Sequence, residues 1–318
     1  MKVTEYFEKA NGQTLISFEV LPPLKGGGMK AIFDTLDPLM EFKPPFIDVT
    51  YHREEFIYKQ RPSGYYEKTA IRKRPGTVGI CASIMHRYGV DAVPHLICGG
   101  FSKEETENAL IDLSFLNIDN VLALRGDARK FDGKFIPEPD GHTYALDLVK
   151  QVQDMNSGTY LDGTIVNGEK TDFCIGIAGY PEKHFEAPNM KCDLEFTRQK
   201  VEAGGDYIVT QMFFDNQKYF DYVDECRAAG IDVPIVPGLK PITKKYQLKA
   251  LPRIFFLNLP DDLVKAIEGA KTSEAVKEVG IEWCIAQSKE LKEKGVPCLH
   301  YYTMGDTDTI RRIVEAVY

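Results

Sequence analysis

The chain has no Cys-x-x-Cys pair, no Lys/Arg cluster that offers a basic stripe, no apolar run of membrane-spanning length and no Gly-x-Gly-x-x-Gly, and each absence removes a class of function. Its seven cysteines are odd in number and scattered, so neither a disulfide framework nor a zinc site is expected, and a reducing cytoplasm is the compartment that fits. With 39 basic and 47 acidic residues the net charge is -8, and the basic stripe that nucleic acid would require is missing. No stretch approaches the ~18 apolar residues of a membrane span, and residues 1–10 are charged without an apolar centre, so neither a membrane nor export is expected. The glycine triplet Gly26, Gly27, Gly28 is not followed by the Lys-Ser/Thr of a phosphate loop and reads as a connection.

What is present is alternation. At 318 residues the chain fits one large α/β domain. After an amphipathic opening (Val3, Tyr6, Phe7, Ala10), strand-like runs fall at 14–20, 46–51, 93–97, 121–124, 173–178, 207–213, 234–237 and 298–303. Helical patterns lie between them at 29–40, 78–88, 103–116, 143–155, 193–203, 218–229, 260–270 and 272–294, with a last helix from Thr307. Ser102 followed by Glu105 predicts a capping box at the start of 103–116. The basic segment 64–74 reads as helix, and the turn-rich 156–171 as a surface excursion with room for a small hairpin. Eight such alternations predict a single-domain (β/α)8 TIM barrel over 1–318. The alternative, an open doubly wound sheet, lacks a glycine fingerprint after any early strand.

The segment Val121-Leu122-Ala123-Leu124-Arg125-Gly126-Asp127 sets the functional reading, because a buried parallel strand that stops on Arg-Gly-Asp delivers charge where barrel enzymes keep their chemistry. Glu19, Thr50, His95, Asp127, Tyr180 and Gln211 all lie in or just after strands one to six, so a barrel would gather them at one mouth. Each has a plainer reading alone. A strand-end carboxylate is more often solvated or capping a helix, His95 more often a hydrogen-bonded core residue, and Tyr180-Pro181 a turn.

At these positions the chain resembles the methylenetetrahydrofolate reductase family over nearly its whole length. The resemblance rests on Ser17-Phe18-Glu19 with Pro22-Pro23, Val49-Thr50-Tyr51, Pro94-His95-Leu96, Ala123 to Asp127, Ala178-Gly179-Tyr180-Pro181-Glu182 with His184, Thr210 to Asp215, Pro237-Gly238 with Pro241, and His300-Tyr301-Tyr302-Thr303. It implies a homo-oligomeric barrel flavoprotein in which FAD takes hydride from NADH or NADPH and passes it to methylenetetrahydrofolate, giving methyltetrahydrofolate for methionine synthesis. The rivals are a barrel flavoprotein with another iminium or enone substrate and a folate-binding barrel without redox activity.

The resemblance also implies roles. Glu19 becomes the general acid, a task that requires its carboxyl to hold a proton near neutral pH, as an apolar, partly desolvated place beside Phe18 would favour. Asp127 is the carboxylate beside flavin and folate, and Gln211 and Gln247 contact folate. Thr50, Tyr51, His95, Arg125, Gly126, Asp127, Tyr144, Ala145, Tyr180, His184, Ala187, Asp193 and Lys200 are the flavin contacts; no metal is implied. Four positions depart from the commoner bacterial pattern: Phe196 where Asn is usual, Gln199 where Arg is usual, Leu251 in place of a stacking Phe, and Gly305-Asp306 in place of Asn-Arg. Because strand eight and its helix end the sequence, no separate regulatory domain is expected.

Overall fold

A computed structural model describes residues 1–129, 132–165 and 168–318. In chain order the elements are α1 (Val3–Lys9), β1 (Leu15–Val20), α2 (Met29–Leu36), a 3-10 helix (Asp37–Phe42), β2 (Phe46–Val49), β3 (Glu55–Gln60), β4 (Tyr66–Ile71), α3 (Thr77–Tyr88), β5 (Asp91–Ile97), α4 (Lys103–Phe115) and β6 (Asn120–Leu124). They continue as α5 (Ala145–Asn156), β7 (Cys174–Gly179), α6 (Met190–Glu202), β8 (Tyr207–Thr210), α7 (Asn216–Ala228), β9 (Ile235–Val236), β10 (Gly238–Leu239), α8 (Gln247–Phe255), α9 (Asp261–Gly269), α10 (Ser273–Glu293), β11 (Cys298–Tyr302) and α11 (Thr307–Val317).

The two-residue alternation of each strand divides the protein into an inside and an outside. Outward side chains such as Ile16, Phe18, Ile47, Val49, Leu96, Val121, Ala123, Ile175, Ile177, Ile208, Leu299 and Tyr301 pack with the helices in one annular core. Inward side chains Phe46, Val93, Leu122, Cys174, Tyr207, Val209, Val236 and Cys298 fill the barrel. Helix α1 plugs its N-terminal end: Val3 joins the inner cluster, Phe7 meets Phe46 and Tyr207 edge-on, and Tyr6 and the N-terminal ammonium both hold Asp91, at 2.6 and 3.0 Å. Sealing that end leaves the C-terminal rim as the open one.

All the barrel ladders are parallel, in the order β10-β11-β1-β2-β5-β6-β7-β8-β9. The seventh barrel position is split. Proline has no N–H to give a ladder, and at Pro237 the chain changes partner: Ile235 and Val236 pair with β8, and Gly238 and Leu239 with β11. Counted as one position, the two halves give the eight-stranded barrel that the alternation predicts.

The capping box of α4 forms as expected, Ser102 Oγ accepting from Glu105 N and the Glu105 carboxylate from Ser102 N. The segment 64–74 is not helical. Residues 66–71 form β4, antiparallel to the unforeseen β3, with a turn at Gly64 (φ +84°). Both faces of this hairpin are largely exposed, so it has no apolar period to betray a strand, and its cations serve cross-strand contacts: Lys68 Nζ lies 3.7 Å from the Phe56 ring centroid, and Arg61 pairs with Glu67. Within 156–171 the described residues after α5 form turns and no strand, while positions 166 and 167 lie outside the described residues. Helix α8 also went unread, because Pro252 inside it removes a helix donor and reads as a break. No helix among the described residues is long and apolar enough to cross a membrane.

Candidate active site

A cavity of about 1390 Å3 opens at the C-terminal rim. Its lining includes Glu19, Thr50, Tyr51, His95, Arg125, Gly126, Asp127, Tyr180, His184, Gln211 and Gln247, so eleven residues singled out in the sequence meet in one place. Apolar wall is supplied by Ile97, Leu122, Leu124, Val209, Met212 and Leu251.

Glu19 enters the barrel for a simple reason of parity: Phe18 and Val20 face the helices, so Glu19 faces in. Its backbone carbonyl accepts from both the N–H and the Oγ1 of Thr303, at 3.2 and 2.7 Å, which ties the end of β1 to the loop after β11. The carboxylate is 13% exposed and lies 3.6 Å from His95 Nε2 and 3.8 Å from His300 Nε2. His300 is fixed from behind by Ser17 Oγ, 2.8 Å from its Nδ1.

Beneath Glu19 lies a residue that sequence reasoning passed over. Asp48 is registered opposite Glu19 across β1 and β2, points inward, and is 1% exposed. Among the described residues neither carboxylate oxygen has a hydrogen-bond partner, nor have His95 Nε2, His300 Nε2 or the Tyr207 hydroxyl. The nearest cation-capable group is His95 Nε2, 3.5 Å from Asp48 Oδ2. A charged residue in the otherwise apolar run Phe-Ile-Asp-Val was the available signal. Burial opposes charge on His300, but the carboxylates of Asp48 and Glu19 outweigh it and raise its proton affinity above the ordinary value of 6.5. A raised imidazole contributes stability that is complete below the ordinary value and is lost as pH rises through the raised one. Asp48→Asn is therefore expected to move the His300 titration downward, read from its ring protons by NMR; an unmoved midpoint would refute the coupling.

The other polar groups are held by backbone. Gln211 Oε1 accepts from Met212 N at 2.9 Å, and Gln247 Oε1 from Thr243 N and Lys244 N at 2.8 Å each, so in both side chains the amide NH2 is left for the cavity. Gly126 takes φ +81° and a methyl on it would come within 3.3 Å of Ile97, which lets the chain turn from Arg125 to Asp127 at the rim. Burial and the nearby Arg125 push His184 down to about 4, so it is neutral; its Nδ1 accepts from Glu186 N, placing the proton on Nε2.

Five expected contacts do not line the cavity. Asp193 accepts from His184 N at 2.9 Å, Ala187 donates to His184 O, and the Lys200 ammonium donates to Ala178 O at 2.9 Å, so these three brace the wall from behind. Tyr144 is exposed and Ala145 half-buried at the start of α5. Of the departures, Leu251 and Asp306 line the cavity, Asp306 also capping α11 through Thr309 N. Phe196 and Gln199 do not line it; Gln199 donates to Glu195.

Comparison with known proteins agrees with this layout. A solved Clostridium thermocellum protein described as binding two copies of 5-methyl-5,6,7,8-tetrahydrofolic acid superposes with a TM-score of 0.57 over 98% of both chains at 12% identity, which speaks to the fold. The chain is 32% identical over 317 residues to methylenetetrahydrofolate reductase (NADH) 1 of Arabidopsis thaliana, covering 96% of this chain and 49% of that one. It is 32% identical over 298 residues to the 5,10-methylenetetrahydrofolate reductase of Salmonella typhimurium, covering 93% and 88%. It thus spans about half the length of the plant relative and most of the bacterial one. The family model for methylenetetrahydrofolate reductase matches residues 3–318, and the chain belongs to that family.

Proposed function

We propose that the chain reduces methylenetetrahydrofolate to methyltetrahydrofolate with NADH or NADPH, using FAD as the carrier. The observation that carries this reading is the meeting of Glu19, Asp127 and Gln211 on one cavity whose floor is polar and whose walls are apolar. Related proteins carry NADH in their names, as in Arabidopsis, or NADPH, as in Caenorhabditis elegans.

The residues present fit a flavin dinucleotide. The cavity exceeds the ~300–1,000 Å3 common for a single ligand, leaving space for two ring systems in contact. Its rim carries Arg53, Arg125 and Arg129, suited to phosphate oxygens. When bound, FAD would supply the transient store of hydride between the two substrates.

The chain's own groups must do the rest. Hydride adds poorly to the closed five-membered ring of the folate, so a C–N bond opens first to an iminium, and the departing nitrogen needs a proton. Glu19 would give it; its carboxyl stands where the polar floor meets the cavity. Asp127, on the same rim, would favour the cationic folate that results. The amide groups of Gln211 and Gln247 would orient the pterin edge, and Met212, Leu251 and Val209 would keep water from the reacting carbon.

Purified protein supplied with FAD is expected to be yellow, to bleach anaerobically with NADH or NADPH, and to regain colour when methylenetetrahydrofolate is added. Bleached protein that the folate fails to reoxidise would favour a different flavin substrate. Protein that binds folate but no flavin would leave a non-redox carrier.

A further inference from the structure

Three arginines stand on one side of the cavity mouth, and two of them are matched by carboxylates. Arg125 pairs with Glu186, and Arg129 with Glu138 and, at 3.9 Å, with Asp132. Arg53, at the foot of the hairpin between β2 and α3, is different. Both terminal nitrogens of its guanidinium are buried and have no hydrogen-bond partner, and no ion pair forms with it among the described residues.

Its seat is specifically shaped. At the end of β5, a methyl on Gly99 would lie 2.9 Å from Arg53 Nη1, and one on Gly100 would lie 2.8 Å from Arg53 Cβ, so two consecutive glycines make the room it occupies. The guanidinium carbon is 5.9 Å from the Phe135 ring centroid, and that of Arg125 is 5.1 Å from the same ring. Burial and the neighbouring charge of Arg129 both disfavour the cation, while Glu138, Asp132 and Asp127 favour it without touching it. A buried guanidinium with two unsatisfied donors is costly to keep. Its fork matches two oxygens of one anion, and the guanidinium groups of Arg125 and Arg129 alongside, each already paired with a carboxylate, offer further donors to an anion with several oxygens.

We propose that Arg53 is a binding residue for the diphosphate of a dinucleotide, donating from both terminal nitrogens, with Arg125 and Arg129 alongside. This rests on the function proposed above, although the chemistry named is only that of a diphosphate. Two sources could supply it, the flavin dinucleotide or the nicotinamide dinucleotide.

The test compares the apo-forms of the unaltered protein, Arg53→Gln and Arg53→Lys, with folding checked by circular dichroism. Affinities for FAD, riboflavin, NADH and ADP are measured by fluorescence or calorimetry. Arg53→Gln should weaken FAD and ADP at least tenfold, leave riboflavin unchanged, and be partly rescued by Arg53→Lys, which keeps the charge without the fork. Weakening of NADH and ADP with FAD untouched would place the same site on the nicotinamide nucleotide. Unchanged binding of all three phosphorylated ligands, or an equal loss for riboflavin, overturns the proposal. If the unaltered protein binds ADP through Arg53 but neither flavin nor NADH, the function above fails and the diphosphate site survives; if it binds none of them, both fail.

Discussion

Glu19→Gln is expected to leave anaerobic bleaching by NADH or NADPH close to normal while slowing reoxidation by methylenetetrahydrofolate by about 10^2–10^4-fold, the usual span for removing a general acid. The separation follows from what each half-reaction needs. Hydride leaving a nicotinamide requires no proton from the protein, whereas opening the folate ring requires one at the departing nitrogen. Glutamine keeps the volume of the side chain, and the Thr303 contacts that hold the strand end go to the Glu19 carbonyl, not to its carboxylate. The substitution should therefore spare packing and remove only the acid. His95 and His300 flank its carboxylate at 3.6 and 3.8 Å. Stopped-flow absorbance of each half-reaction measures both rates. Equal loss in the two would mean that Glu19 holds the site together and does not donate.

Much of this site was legible because parallel strands advertise themselves. The runs around Phe18, Val49, Leu96 and Leu124 are apolar enough to be strands, and each stops on polar residues that a barrel brings to one rim. The capping box at Ser102 was readable because it depends only on local spacing. What was missed depends on contacts distant in the chain. The hairpin of β3 and β4 carries charge and aromatics on both faces, so no periodic signal separates it from a helix surface; only its pairing across Gly64 defines it. Arg53 lies among the charges of His52-Arg53-Glu54-Glu55, where none stands out, and Asp48 is marked only as a charge in an apolar strand. Their significance comes from what surrounds them, two glycines and a phenylalanine in one case and two imidazoles in the other. Asp193 and Lys200 were named by family pattern alone, and their bonds run to the backbone of the wall.

Gly238→Ala is expected to be among the most damaging single methyls in the barrel strands. Gly238 follows the proline that divides the seventh strand, and its N–H donates to Thr210 Oγ1 at 3.0 Å. By the alternation of the strand it faces inward, and a methyl there would overlap the Thr210 carbonyl oxygen and the Tyr302 hydroxyl. Those two atoms are themselves bonded, Tyr302 donating to Thr210 O at 2.6 Å, so the methyl has no flexible neighbour to push aside without breaking the contact that joins β8 to β11 across the split. Overpacking of a rigid interior costs about 1–3 kcal/mol and occasionally more. With backbone on one side and a buried phenol on the other, a value near the top, ~3 kcal/mol, is expected, lowering Tm by roughly 4–5 °C. Tyr302 and Thr210 both line the cavity, so flavin retention should fall as well. Gly79→Ala is the control: it lies in the exposed first turn of α3 with nothing within 4 Å of the added methyl, and helix propensity favours alanine there by up to about 1 kcal/mol. Calorimetric scans in which both variants melt alike would mean that the barrel gives way at Gly238, and that the split strand is not the rigid closure its bonds describe.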